Sequence, residues 1–231
     1  MPDKVVFWDI DGTLLSGSLE GGFVGYLRRH GQLNLWRIIV RFTRQMIRVP
    51  LPTGHQFKLA YLRRQNAQEV EHWMDSYWRD EVLDLLYPEI RPTIDEFRQQ
   101  DFQQVLLSGT LFPLARRLGN YLGISEIIAA EPEIIDGHYT GGLTKPHPAG
   151  PRKTQYAKAW LKAHDLDFFD AVALGNHFGD RDLLGRVMVP IAVNPTDHLR
   201  EYANKMGWPI IERPGEVRRL AETIRERLHR E

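Results

Sequence analysis

Val5-Val6-Phe7-Trp8, running straight into Asp9-Ile10-Asp11-Gly12-Thr13, decides the fold. Four β-prone apolar residues are cut off by two acids and a glycine, the pattern of a buried parallel strand that ends in a loop. Similar short runs recur at Val105-Leu106-Leu107, Ala171-Val172-Ala173-Leu174, Ile191-Ala192-Val193 and Pro209-Ile210-Ile211. Helical stretches accompany them over 111–122, 152–164, 199–206 and 215–228. Such alternation predicts a doubly wound, mostly parallel α/β sheet of Rossmann-like type, covered by helices on both faces. Ligands of these sheets sit at the carboxyl ends of the strands. Asp9, Asp11, Ser108 and Asn176 are each expected just past a strand end, and so in one crevice.

Residues 17–90 read differently. They contain no clear strand and look helical, with breaks at Val49-Pro50-Leu51-Pro52 and near Tyr87-Pro88. The expectation is a helical cap over 17–90 inserted after the first strand, with 1–16 and 91–231 forming the α/β core. A length of 231 residues suits one main domain carrying such an insertion. Ile134 to Leu143, with Asp136-Gly137 inside it, reads as a hairpin.

The absence of cysteine excludes disulfides, thiolate metal sites and a cysteine nucleophile. The N-terminal apolar run is too short for a signal peptide, and no run reaches the roughly 18 residues needed to span a bilayer. A cytoplasmic protein is expected.

Asp9 and Asp11 are spaced so that one carboxylate serves as nucleophile and the other as general acid or base. Two carboxylates this close repel each other, and a divalent cation neutralises them together with an incoming phosphate. Oxygen ligands and phosphate point to Mg²⁺. Taken singly, each piece has a plainer reading: an acidic turn for Asp9–Thr13, a turn for Ser108-Gly109, a solvated helix charge for Lys153.

Taken in order, the pieces resemble the four motifs of the haloacid-dehalogenase-like hydrolase superfamily: Asp9-Ile10-Asp11-Gly12-Thr13-Leu14, then Ser108-Gly109-Thr110, then Lys153, then Gly175-Asn176-His177-Phe178-Gly179-Asp180. The resemblance is strongest to the phosphoserine-phosphatase-like subgroup, whose members carry a helical cap between the first two motifs. It implies a Mg²⁺-dependent phosphomonoester hydrolase acting on a small phosphorylated metabolite or lipid head group. Asp9 would form an aspartyl-phosphate and Asp11 would exchange protons with the leaving alcohol and the attacking water. Ser108, Gly109, Gly12 and Thr13 would contact the substrate, with Lys153 balancing phosphoryl charge. Asp9, Asp11, Asn176 and Asp180 would hold the metal. Asn176 departs from the usual acid of the fourth motif, which predicts weaker metal binding. The acid at position 11 argues against a dehalogenase. A phosphotransferase or mutase on the same site, or a catalytically weak binding protein, are the alternatives.

No acid occurs between Gly21 and Gln68, while Arg37, Arg41, Arg44 and Arg48 share one helical face. That face is either solvated or rests on an anionic membrane surface. Without a recognisable binding motif it does not argue for nucleic acid. Trp36, Tyr61, Trp73, Tyr77 and Trp78 are expected to be core.

Overall fold

A computed structural model describes residues 4–33, 59–213 and 216 of the chain. The expected helix over 215–228 lies outside them apart from Glu216, as do Trp36 and the face formed by Arg37, Arg41, Arg44 and Arg48.

Six strands form one sheet: β1 (Lys4–Trp8), β2 (Phe102–Leu111), β3 (Glu126–Ala130), β6 (Ala171–Gly175), β7 (Val189–Val193) and β8 (Ile210–Ile211), in the order β3-β2-β1-β6-β7-β8. Every pairing in it is parallel. β1 lies inside the sheet because both its faces are apolar. Val6 and Trp8 join a core with Leu106, Val172, Leu174 and Ile191. Val5 and Phe7 point the other way, into a second core with Val105, Leu107, Ala171 and Ala173. Burying each such side chain contributes about 1.5–3 kcal/mol. The fold is the doubly wound α/β architecture expected.

Three helices connect and cover the core strands around the site. α4 (Phe112–Leu122) follows β2, α5 (Pro151–Ala163) precedes β6, and, past the short α6 (Arg181–Leu184), α7 (Asp197–Met206) follows β7. α5 lays Ala157, Trp160 and Leu161 on the second core, and α7 adds Leu199 and Ala203. On the opposite face α3 (Ile90–Gln99) contributes Ile90, Ile94 and Phe97 to the first core.

Two expectations need correction. β3 was not anticipated: its sequence Glu126-Ile127-Ile128-Ala129-Ala130 shows no alternation and ends in two alanines, which strands disfavour, although it forms the edge of the sheet. Ser108 is not past a strand end but inside β2, which runs ten residues to Leu111. The pairing of β1 with β2 stops at Trp8 and Leu106, so β2 overhangs its neighbour by several residues. Its register with β3 also shifts between Leu107 and Leu111. Ser108-Gly109-Thr110 therefore stays extended yet still stands at the carboxyl edge of the sheet beside β1.

Between β1 and β2 the regular elements among the described residues are helices. α1 (Leu19–Arg29) is capped by Ser18, whose Oγ accepts from Gly21 N. α2 (Ala67–Tyr77) is capped by Asn66, whose side chain accepts from the amides of Gln68 and Glu69. It continues into a wide helical turn, Trp78–Val82. Tyr77 is fully buried, and Tyr61, Trp73 and Trp78 pack against the core. The hairpin of β4 (Pro132–Ile135) and β5 (His138–Leu143) forms around Asp136-Gly137 as expected. It grips this insert through backbone bonds from Arg64 N to Tyr139 O (2.7 Å), Tyr139 N to Gln65 O (3.0 Å) and Ala67 N to Gly137 O (2.8 Å). Among the described residues no helix is long and apolar enough to cross a membrane.

Candidate active site

Asp9 is the first residue after β1, and its amide bonds to Leu174 O at 3.2 Å, holding it against the end of β6. Opposite stands Lys153 in the first turn of α5. That turn begins at Gly150, whose φ of +57° only glycine adopts without strain, followed by Pro151 at the first helical position. Lys153 Nζ donates to Asp9 Oδ1 at 2.6 Å and to Asp180 Oδ1 at 2.6 Å. All three side chains are buried.

Asp180 is fixed on its other oxygen as well, because Oδ2 accepts from His177 N at 3.0 Å. Gly175 makes room for it: a Cβ there would lie 2.8 Å from the Asp180 side chain. His177 itself is exposed and its Nδ1 accepts from Gly179 N at 3.0 Å, so the ring caps its own turn.

One ammonium thus meets two buried carboxylates. Burial pushes Asp9 up to about 7; Lys153 opposes that shift, and the charge of Asp180 adds to it. Burial alone would depress the Lys153 ammonium, yet Asp180 and Asp9 outweigh it and raise its pKa. Thr13 Oγ1 approaches Asp9 Oδ2 at 3.3 Å.

Asp11 faces the helical insert. Its Oδ1 accepts from Leu19 N, the first helical amide of α1, at 2.7 Å, and its Oδ2 from Thr110 Oγ1 at 2.8 Å. Burial raises its pKa, partly offset by these two bonds. Ser108 Oγ lies 3.2 Å from Thr110 Oγ1. Gly12 has φ +73°, and a Cβ on it would stand 1.9 Å from Asn176 Nδ2, so the Asn176 amide covers the loop that follows β1. Asn176 O accepts from Thr196 N at 2.9 Å.

The structure therefore brings Asp9, Lys153 and Asp180 into contact, places Asp11 and Ser108 on the two sides of Thr110, and sets Asn176 on Gly12. Gly109 stands between Ser108 and Thr110 with His147 against it. Two neighbours of the site carried no assignment in the sequence reading. Thr110 could have been found, since it lies two residues after Ser108 and so on the same strand face. His147, a lone histidine between prolines, gives no such signal.

Comparison with known proteins agrees with this fold. The family described as haloacid dehalogenase-like hydrolase matches residues 6–185. Phosphoserine phosphatase SerB1 of Mycobacterium tuberculosis (strain ATCC 25618 / H37Rv) is 23% identical over 214 residues, covering 88% of this chain and 69% of that protein. Histidinol-phosphatase of Neisseria meningitidis serogroup C (strain 8013) is 22% identical, covering 90% and 98%. Among solved structures, a protein of unknown function from Bordetella pertussis Tohama I superposes with a TM-score of 0.79 at 23% identity, covering 92% and 99%. A phospho-aspartyl intermediate analogue of phosphoserine phosphatase gives 0.67 at 16% identity, covering 96% and 99%. The chain belongs to the haloacid dehalogenase-like hydrolase family and groups with its phosphatases.

Proposed function

We propose that this phosphatase hydrolyses a small phosphate monoester through a covalent phosphoryl group on Asp9. The observation that carries this reading is the bridging of Asp9 and Asp180 by Lys153, with Asp11 held separately at the mouth of the helical insert. An oxygen of Asp9 attacks phosphorus in line; the phosphorus–oxygen bond to the alcohol breaks, and Asp11 gives its proton to the departing oxygen. Burial favours the protonated form of Asp11 that this step uses. Asp11 then takes a proton from water as the water oxygen attacks phosphorus, releasing phosphate and restoring Asp9. Lys153, the Ser108 hydroxyl and the Gly109 amide offer donors to the phosphoryl oxygens. Gly12, at φ +73°, turns the loop beside the same group, and Thr13 places its hydroxyl against Asp9.

Two buried acids, a side-chain amide and a main-chain carbonyl are the donor types that Mg²⁺ takes, although among the described residues no group of three or more acids or histidines is placed to hold a metal ion. The set is made of oxygens alone, and its two buried acids, Asp9 and Asp180, share a single ammonium. Asp9, Asp180, the Asp11 carbonyl and the Asn176 amide oxygen would hold the ion. When bound it supplies positive charge to the carboxylates and to the phosphoryl oxygens. Asn176 brings no charge, so the site binds Mg²⁺ more weakly than one with a third acid.

Residues 17–90 act in this reading as a cap that selects the leaving group. The basic face of Arg37, Arg41, Arg44 and Arg48 rests on sequence alone; pelleting with anionic vesicles, lost on replacing the four with Gln, tests a membrane role.

A phosphate-release screen with Mg²⁺, including O-phosphoserine and histidinol phosphate, tests the function. Wild type should turn over at least one ester and Asp9→Asn none. Equal activity of the two proteins contradicts the assignment.

A further inference from the structure

We infer that His147 is a positioning residue that sets where the Gly109 amide stands relative to Lys153. His147 is a buried side chain, only 4% exposed, in the loop that leads into α5. Its ring lies on the Cα of Gly109: a Cβ at that position would stand 2.7 Å from His147 Cε1 and 3.3 Å from Nε2. Gly109 is not among the glycines with positive φ. Its backbone therefore accepts any residue, and what excludes a side chain is the imidazole itself.

The backbone that carries the ring is held on both sides. Tyr156 OH, one turn along α5, donates to Pro146 O at 2.6 Å, and Ala149 N donates to His147 O at 2.9 Å. Three residues after His147 comes Gly150, whose carbonyl accepts from Lys153 N at 3.0 Å. The turn that carries Asp180 touches the same point, since a Cβ on Gly179 would lie 3.6 Å from Gly150 Cα. His147 is thus the wedge between the overhanging end of β2 and the turn that launches Lys153. Within a packed interior, displacing such a wedge moves the groups on either side of it.

The inference rests on the phosphate-ester reading of the site. The test is titration calorimetry of inorganic phosphate into the full chain with Mg²⁺, for wild type, His147→Ala, Gly109→Ala and the double variant, with thermal melts of each. Either single substitution should weaken phosphate binding by about tenfold or more, because small displacements of binding groups are costly. The double variant should bind better than Gly109→Ala, since removing the ring makes room for the new methyl group. If His147→Ala fails to fold, His147→Asn in the same cycle carries the comparison. A double variant no better than Gly109→Ala, or unchanged binding in the His147 variants, overturns the inference while leaving the phosphatase reading intact. Wild type that neither binds phosphate nor releases it from esters overturns both.

Discussion

Lys153 Nζ and Asp9 Oδ1 lie 2.6 Å apart although 144 positions separate the two residues in the chain. The contact joins the first strand to the helix before β6. It also leaves a net negative pair, because Asp180 shares the same ammonium.

Replacing Lys153 by Met should expose that imbalance. The phosphoryl group loses a donor, so kcat should fall by about 10²–10³. The metal-free protein, whose two buried acids no longer share an ammonium, should lose about 3–5 kcal/mol in urea unfolding. Added Mg²⁺ should return part of the stability but little of the rate. An unfolding midpoint equal to wild type in EDTA would show that the pair is not buried as described.

The raised pKa of Asp9 makes a prediction about pH. A group whose folded pKa exceeds its unfolded value favours folding fully below the unfolded pKa, 3.8, and loses that contribution as pH rises through about 7. Wild type in EDTA should therefore lose stability across that window relative to Asp9→Asn, by on the order of 2–4 kcal/mol. Thermal melts at several pH values check it. A stability difference between the two proteins that stays flat from pH 4 to about 8 would sink the argument.

Asp11→Asn separates acid catalysis from the attack by Asp9. Loss of the proton donor should cost about 10²–10⁴ in kcat for alkyl phosphates. It should cost far less in the first step for p-nitrophenyl phosphate, whose leaving group departs without a proton. Pre-steady-state release of nitrophenol measures that step; an equal loss for both classes would remove Asp11 from the proton-transfer role.

Arg117 joins α4 to α2. Its Nη2 donates to Glu71 Oε2 at 2.7 Å, its Nε to Asp75 Oδ1 at 2.9 Å and its Nη1 to Pro113 O at 3.0 Å. With the side chain only 12% exposed, Arg117→Ala should cost about 2 kcal/mol. Arg117→Lys should recover less than half, because an ammonium cannot reproduce the fork. Amide exchange should quicken in α2 more than in β1. A uniform effect across both would mean that the contact does not specifically tie the insert to the core.

Much of the architecture was legible because burial on two faces writes continuous apolar runs such as Val5–Trp8 and Ala171–Leu174. β3 escaped because its apolar run, Ile127–Ala130, is short and ends in two alanines, a residue that strands disfavour. The overhang of β2 escaped because strand ends depend on where a neighbour stops, here at Trp8 beside Leu106. At the site, Asp9, Lys153 and Asp180 were named from motif order, but that two acids meet the Lys153 ammonium depends on three separate segments: the end of β1, the first turn of α5 and the turn after β6. His147 was invisible, since nothing in Pro146-His147-Pro148 points to a glycine on another strand.

The central claim is that phosphorus is carried by Asp9, and the most direct test is to trap it. Wild type should be mixed with a turned-over ester and Mg²⁺, quenched in acid, reduced with borohydride and digested for peptide mass spectrometry. An acyl phosphate on Asp9 would be reduced to homoserine at that position, in proportion to enzyme and absent without substrate. Steady phosphate release with Asp9 recovered unchanged, and with Asp9→Asn still active, would contradict the account.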